Sequence, residues 1–360
     1  MATLPARALC LALCLAAVSC TPKTTDSLSG AKSAEASDRS VVAFYNLENL
    51  FDSDDDVTNE GDDEWLPESP KRWTAQRYQE KLGRLAKVIL DLGGTASPGG
   101  PALIGVCEVE NAKVLRDLSQ QAALARSNYK VVHFESPDYR GIDCAALYRS
   151  DLFELDEAMP IRVPLPMRSD SSIRTTRDIL LVRGRLLGDS ISMFVNHWPS
   201  RRGGETASRP GRVAAARTLK HHADSLRTLN PAADIVIVGD FNDDPVSLSL
   251  RETLQAVARR GDVGQTGYYN PMVSLYRQGV GSLGYRDSWN LFDQIIVSEG
   301  LAEGGSDWRI EQAQVFRAPY LFQAAGRFRG YPLRTYVGSD YRSGYSDHLP
   351  VYAVLARSKT

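Results

Sequence analysis

Along the chain, short β-branched and apolar runs alternate with longer segments whose apolar residues recur every three or four positions. The run Val41 to Asn46 reads as a strand. Tyr78, Leu82, Leu85, Ile89 and Leu92 then fall on one helical face, with Thr74 as N-cap and Gly93-Gly94 as the stop, which predicts an amphipathic helix. Ala102 to Val106 predicts a short buried strand, and about Ala112 to Arg126 a second helix. Four strand-like runs follow, Tyr129 to Phe134, Cys144 to Arg149, Asp178 to Leu187 and Ile191 to Val195, separated by turns. A third helix is expected over Val213 to Leu229, and strands over Asp234 to Val238, Leu291 to Val297 and Leu349 to Leu355. Elements in this order predict an α/β chain with helices outside two packed, largely antiparallel sheets.

The first residues have a different pattern. A single Arg7 precedes an apolar run from Ala8 to Val18, too short to span a bilayer and proportioned like the core of a signal peptide. Ser19 before Cys20 resembles the cleavage site of bacterial lipoproteins, so residues 1–19 are expected to be removed and Cys20 lipidated. Ala17 stands where a leucine is usual, and a plain secretory cut near Cys20 is the alternative. Residues 20–39 contain no aromatic and read as a flexible tether. One folded domain is therefore expected over 40–357, monomeric and outside the cytoplasm. It would sit in the bacterial envelope, anchored to a membrane by its N-terminal lipid, or else be a soluble periplasmic or secreted protein.

Composition narrows the function. With 43% hydrophobic and 24% charged residues in 360, the chain is neither disordered nor fibrous. The 42 Lys and Arg against 44 Asp and Glu leave a net charge of −2, so any attraction to phosphate must come from local clusters. Cysteines at positions 10, 14, 20, 107 and 144 have no disulfide-framework or zinc-ribbon spacing, and Cys107 and Cys144 read as buried strand residues, with a disulfide between them left open. Eight acidic residues crowd Asp52 to Glu64, but Val57 stands where an EF-hand loop needs glycine, so this is a solvated loop.

The informative polar residues stand at strand ends: Asn46 and Glu48, Glu108, His197, Asp240 and Asn242, Asp293, and Asp347 with His348. Functional groups at strand termini on one edge of a sheet are held by a rigid scaffold. In Gly239-Asp240-Phe241-Asn242, an extended backbone would point Asp240 and Asn242 to one face and Phe241 into the core. One of the pair can then orient a water or take its proton, and the other can donate to an oxygen that gains charge.

The segments Gly239-Asp240-Phe241-Asn242 and Ser346-Asp347-His348, in this order after Asn46 and Glu108, resemble those of the endonuclease/exonuclease/phosphatase superfamily of DNase I-like, metal-dependent phosphoesterases. The resemblance implies a four-layer αββα sandwich. It implies that Glu108, with Asn46, Glu48 and Asp347, serves a divalent cation, Mg²⁺ foremost, with Mn²⁺ or Ca²⁺ also admitted. Asp240 would activate the attacking water, Asn242 donate to phosphoryl oxygens, and His348, oriented by Asp293, stabilise the scissile phosphate or act as general acid. His197 matches the second histidine of several branches. Oxygen ligands suit a hard cation and disfavour zinc. A carboxylate partner raises a histidine's pKa, so His348 or His197 is expected to carry charge near neutral pH.

Two departures limit the resemblance. Val109-Glu110 follows Glu108 where several relatives have a basic residue, and no tyrosine is securely placed, Tyr139 being one alignment. Arg140 is expected to bind phosphate and Asp143 to partner His197. Arg201 and Arg202, then Arg209 and Arg212, gather near the site. Arginines and tyrosines from Gly326 to Tyr345 are expected to wall the cleft, a combination that can hold phosphate and stack on a base. The expected activity is phosphodiester cleavage by activated water, with nucleic acid the leading substrate. A phosphatase or phospholipase-like diesterase acting on a lipid, inositol or sugar phosphate is the alternative, and a catalytically silent envelope lipoprotein the reading of another class.

Overall fold

The computed structural model describes residues 39–166, 175–264, 267–304 and 307–357. The leader and the tether up to residue 38 lie outside them, and Arg39, expected in the tether, already opens the first strand.

The strands are β1 (Arg39–Leu50), β2 (Leu103–Val109), β3 (Tyr129–His133), β4 (Asp143–Arg149), β5 (Phe153–Ile161), β6 (Ile179–Leu186), β7 (Asp189–His197) and β8 (Ile235–Asp240). They continue with β9 (Ala256–Val257), β10 (Tyr268–Tyr269), β11 (Leu283–Tyr285), β12 (Ser288–Asn290), β13 (Asp293–Val297), β14 (Trp308–Val315), β15 (Tyr336–Val337), β16 (Asp340–Tyr341) and β17 (Val351–Arg357). One sheet runs β14-β17-β1-β2-β4-β3 and the other β5-β6-β7-β8-β13-β10-β9. Antiparallel pairs dominate, but β1 with β2 and β7 with β8 are parallel, so both sheets are mixed. The parallel pairs bring the C-terminal ends of four strands to one edge, where a site can be assembled.

Apolar runs on the central strands are buried on both faces. Between the sheets the backbones approach closely at Gly105, where an added Cβ would lie 2.8 Å from Val238 and 2.9 Å from Val195. Helices α1 (Ala75–Asp91) and α2 (Ala112–Ser119) share the core cluster of the first sheet. Helix α3 (Glu205–Leu229) covers the second sheet through Ala215, Ala216, Leu219 and Ala223, packed with Phe194 and Ile237. Two packed sheets with helices on both outer faces are the expected four-layer sandwich. Thr74 caps α1 by accepting from the Arg77 amide, and Gly93 takes φ 82° just past its end. No helix among the described residues is long and apolar enough to cross a membrane.

The sequence pattern misplaces some boundaries. The helix expected from Ala112 to Arg126 ends at Ser119, and α3 begins eight residues before the expected Val213, with Pro210 inside it. Arg212 explains how that first stretch holds: fully buried, it contacts the Glu205 carbonyl, the Ser208 hydroxyl and the Asp243 carboxylate. The edge strands β5 and β14 carry no clean apolar alternation and were not expected. Cys107 and Cys144 are buried free thiols opposite one another on β2 and β4.

Candidate active site

Register alone builds half of the site. His197 pairs with Asp240 across β7 and β8, and Asp293 pairs with Asp240 across β8 and β13, so the three stand in one row. On the facing sheet the β2–β4 ladder jumps from Cys107 to Val109, and the residue skipped is Glu108, at φ 59°. This bulge turns the Glu108 carboxylate towards the row: its Oε1 lies 3.8 Å from His197 Nε2. Glu48, Asn49 and Asn242 also adopt positive φ.

The hydrogen bonds lock it. Asn46 Nδ2 donates to Asp240 Oδ2 at 3.2 Å, and its Oδ1 accepts from the Glu48 amide at 2.9 Å. The Ser346 hydroxyl donates to the Asn46 carbonyl at 2.7 Å and accepts from the His348 amide at 3.0 Å, tying the C-terminal segment to β1. His348 Nδ1 meets Asp293 Oδ2 at 2.7 Å, while its Nε2 faces Asp240 Oδ2 at 3.8 Å.

Electrostatics separates the groups. Burial disfavours the charged form of His348, but Asp293 and Asp240 outweigh it and hold the histidine well above its usual value. Burial, with Arg177, Arg140 and His348 nearby, pushes His197 well below. Either His348 or His197 was expected to carry charge; the surroundings favour the charged form of His348 and oppose that of His197. Burial, opposed by His348 and reinforced by Asp293, lifts Asp240 to about 7. One oxygen each of Asp240 and Asp293 lies within 4.8 Å of a nitrogen of His348 and of the other, and Asp293 Oδ1 is buried with no partner among the described residues. Crowded buried carboxylates with an orphaned oxygen, beside Glu108, form an oxygen-rich donor set that fits a hard divalent cation.

Several expected roles are corrected by the geometry. Glu48 does not face this hollow: its two oxygens accept from Arg334 Nε at 3.1 Å and from the Thr335 amide at 2.6 Å. Asp143 does not partner His197; it starts β4, beside β3, and meets His133 Nε2 at 2.9 Å and the Ser136 amide at 2.8 Å. The strand ends at Asp240, so Asn242 is not extended; its side-chain Nδ2 donates to the Trp198 carbonyl at 3.0 Å. Phe241 is buried as expected, edge-on to Trp198 with centroids 4.7 Å apart. Arg201 clamps the Asn242 carbonyl and the Asp243 and Asp244 carboxylates rather than facing the cleft as a free ligand.

Arg140 reaches Glu108 Oε2 at 3.4 Å, and Arg202 touches the exposed Tyr139 hydroxyl at 3.3 Å. Asp347 accepts from Arg334 Nη2 at 2.9 Å; against the upward push of burial, Arg334, His348 and Lys81 hold its carboxyl below the usual range. Lys81 and Arg177 are additions. Lys81 stands on the apolar face of α1, three residues after Tyr78, and that misplaced charge was a readable signal. Arg177 is buried, donating to Asp138 at 3.0 Å and to the Trp198 carbonyl at 2.7 Å, and nothing in its sequence neighbourhood marks it.

Residues 41–357 match the family model described as "Endonuclease/Exonuclease/phosphatase family". The chain is similar in structure to a truncated Caenorhabditis elegans TDP2, with TM-score 0.52 and 14% identity over 88% of this chain and 98% of that one. It is also similar to the human Nocturnin catalytic domain with bound sulfate anion, at TM-score 0.54 and 15% identity over 90% and 96%. A D. rerio TDP2 complexed with a single-strand DNA product matches at TM-score 0.53 and 13% identity over 88% and 98%. No curated protein sequence matches the chain. At these identities the structural likeness establishes the fold.

Proposed function

We propose that this chain, which belongs to the endonuclease/exonuclease/phosphatase family and is thereby a metal-dependent phosphoesterase in type, is a nuclease that cleaves phosphodiester bonds by activated water. The observation that carries the reading is the convergence of Glu108, Asp240, Asp293, His348 and His197 from both sheets on one hollow, beside Arg140 and Arg202. A nucleic-acid substrate is supported by the exposed Tyr139 ring at the cleft, next to those guanidinium groups, since stacking and charge together suit a strand of nucleotides.

Asp240, near neutral in pKa and held by Asn46, accepts the proton of the attacking water. The oxygen of that water forms the new bond to phosphorus as the bond to the leaving oxygen breaks. His348, kept protonated by Asp293, donates from Nε2 to the leaving oxygen or to a nonbridging one. His197, neutral, donates or accepts a hydrogen bond without adding charge. Glu108, with the unpartnered oxygen of Asp293, would hold the divalent cation, and Mg²⁺ or Mn²⁺ there would supply Lewis-acid charge to the phosphoryl oxygens.

Digestion of plasmid and RNA with Mg²⁺, Mn²⁺ or EDTA, beside bis-p-nitrophenyl phosphate and p-nitrophenyl phosphate, tests this. Metal-dependent cleavage of the polymers is expected, and hydrolysis of the monoester alone would sink the nuclease reading. The pattern of residues 1–20 supports a further part of the proposal, export with Cys20 as a lipid anchor to the bacterial envelope. Cys20→Ser is then expected to move the protein from the membrane pellet to the soluble fraction.

A further inference from the structure

A cleft of about 620 Å³ adjoins the hydrolytic hollow, lined by Arg334, Arg140 and Arg202, by Lys71 in an ion pair with Glu64, and by Tyr139 and Trp65 among its aromatics. Arg334 is a built feature. Its Nε donates to Glu48 at 3.1 Å and its Nη2 to Asp347 at 2.9 Å, yet 43% of the side chain remains exposed. A guanidinium has five N–H groups in a planar fork, so fixing one edge on two carboxylates leaves the other edge oriented and available.

The support beneath it is buried. Glu48 is 3% exposed in left-handed backbone, its second oxygen takes the Thr335 amide, and its carbonyl accepts from Lys81, itself 1% exposed. Lys81 also donates to the Thr335 hydroxyl at 2.7 Å. Two cations thus balance Glu48 and Asp347, and this acid cluster has no surplus charge to offer a metal. Its effect is to hold Arg334 in place. On the other side of the Glu48-Asn49 turn, Arg140 is fixed in the same manner, donating to Asn49 Oδ1 at 2.5 Å and lying 3.4 Å from Glu108. Two anchored guanidinium groups therefore line one cleft next to the reacting centre, a preorganised arrangement for a phosphate dianion or monoanion.

We propose that this cleft is a subsite for a second phosphate of the substrate, one that is held and not cleaved, with Arg334 as its principal ligand and Arg140 as its neighbour. The inference rests on the phosphoesterase reading and narrows it to substrates carrying another phosphate close to the scissile one. Tyr139, 65% exposed at the rim with its hydroxyl on Arg202, favours a nucleotide unit between the two phosphates over a sugar.

Binding of thymidine 3′,5′-bisphosphate and thymidine 5′-monophosphate to the whole domain, followed by tryptophan fluorescence in EDTA and again with Mg²⁺, tests the subsite. The bisphosphate is expected to bind about tenfold or more tighter than the monophosphate in both buffers, a factor that one charged clamp can supply. Arg334→Gln is expected to reduce that preference to about threefold or less, and Arg334→Lys to keep an intermediate preference, since it retains the charge and loses the fork. If Arg334→Gln fails to fold, the lysine variant carries the test. Glucose 1,6-bisphosphate is expected to bind less tightly than the nucleotide, with Tyr139→Ala removing that difference. Equal affinity for mono- and bisphosphate, or a preference that survives both Arg334 variants, overturns the subsite. Hydrolysis of bis-p-nitrophenyl phosphate is scored separately: turnover without the preference breaks the subsite alone, and the preference without turnover breaks the phosphoesterase reading alone.

Discussion

Two buried acid clusters lie side by side at the open edge of the sandwich and differ in what answers their charge. Around Asp240, the carboxylates of Glu108, Asp240 and Asp293 are met by His348 and by Arg140 at its margin, and burial with mutual repulsion lifts Asp240 to about 7. Around Glu48, the two carboxylates are matched by Arg334 and Lys81. Spacing of acids along a chain therefore does not define a metal site. The first cluster is short of positive charge and the second is not, because Lys81 from α1 and Arg334 from the segment before β15 bond to the second and act on Glu108 of the first only at longer range.

The largest effect expected is on turnover. Asp240→Asn keeps the shape and removes the proton acceptor, so kcat should fall about a thousandfold or more, while Tm stays level or rises because a costly buried charge is gone. A steady-state assay paired with a melt checks both, and a large loss of Tm would break the distinction between the clusters. Glu48→Gln should act the other way, leaving Arg334 and Lys81 with Asp347 as their one close acid and costing about 3 kcal/mol of stability by denaturant titration.

Cation affinity sharpens the same contrast. Glu108→Gln should weaken Mn²⁺ binding about tenfold or more by calorimetry, against about threefold or less for Glu48→Gln, and the reverse order would restore Glu48 as a ligand.

The smallest effect lies at Glu110, a buried acid that belongs to neither cluster. Burial, partly offset by the Asp52 amide bonded to it, lifts this carboxyl to about 8. Its folded pKa is raised, so the native state keeps a proton that the unfolded chain loses near pH 4.5, and stability should drain away as pH climbs from there to about 8. Glu110→Gln keeps an acceptor for the Asp52 amide and cannot ionise. It should be more stable than the wild type by about 2 kcal/mol at pH 9, a difference that closes by pH 4.5. A constant difference across that range would remove the burial argument.

The sandwich was legible because strands buried on both faces write apolar runs directly into the chain, as in Ile235 to Val238 and Ile295 to Val297. Edge strands β5 and β14, with one wet face and a register shift each, write no such run. The strand-end acids and histidines were equally readable, since each lies in its run or beside one of its ends. What each of them touches was not. Asp143 looked available to His197, but β3 runs beside β4 and supplies His133 instead. Asn242 looked extended, but with its φ of 50° its side-chain Nδ2 meets the Trp198 carbonyl.

By itself, then, the chain determined which strands are buried and which residue types stand at their ends, because both follow from local periodicity and chain connectivity. Tertiary structure alone decided which histidine is charged, which carboxylate is paired and which arginine faces the cleft. Those properties depend on partners brought up by other segments, such as Asp293, 55 positions from His348, and Arg334, 286 from Glu48, and on the low polarizability of the interior they share.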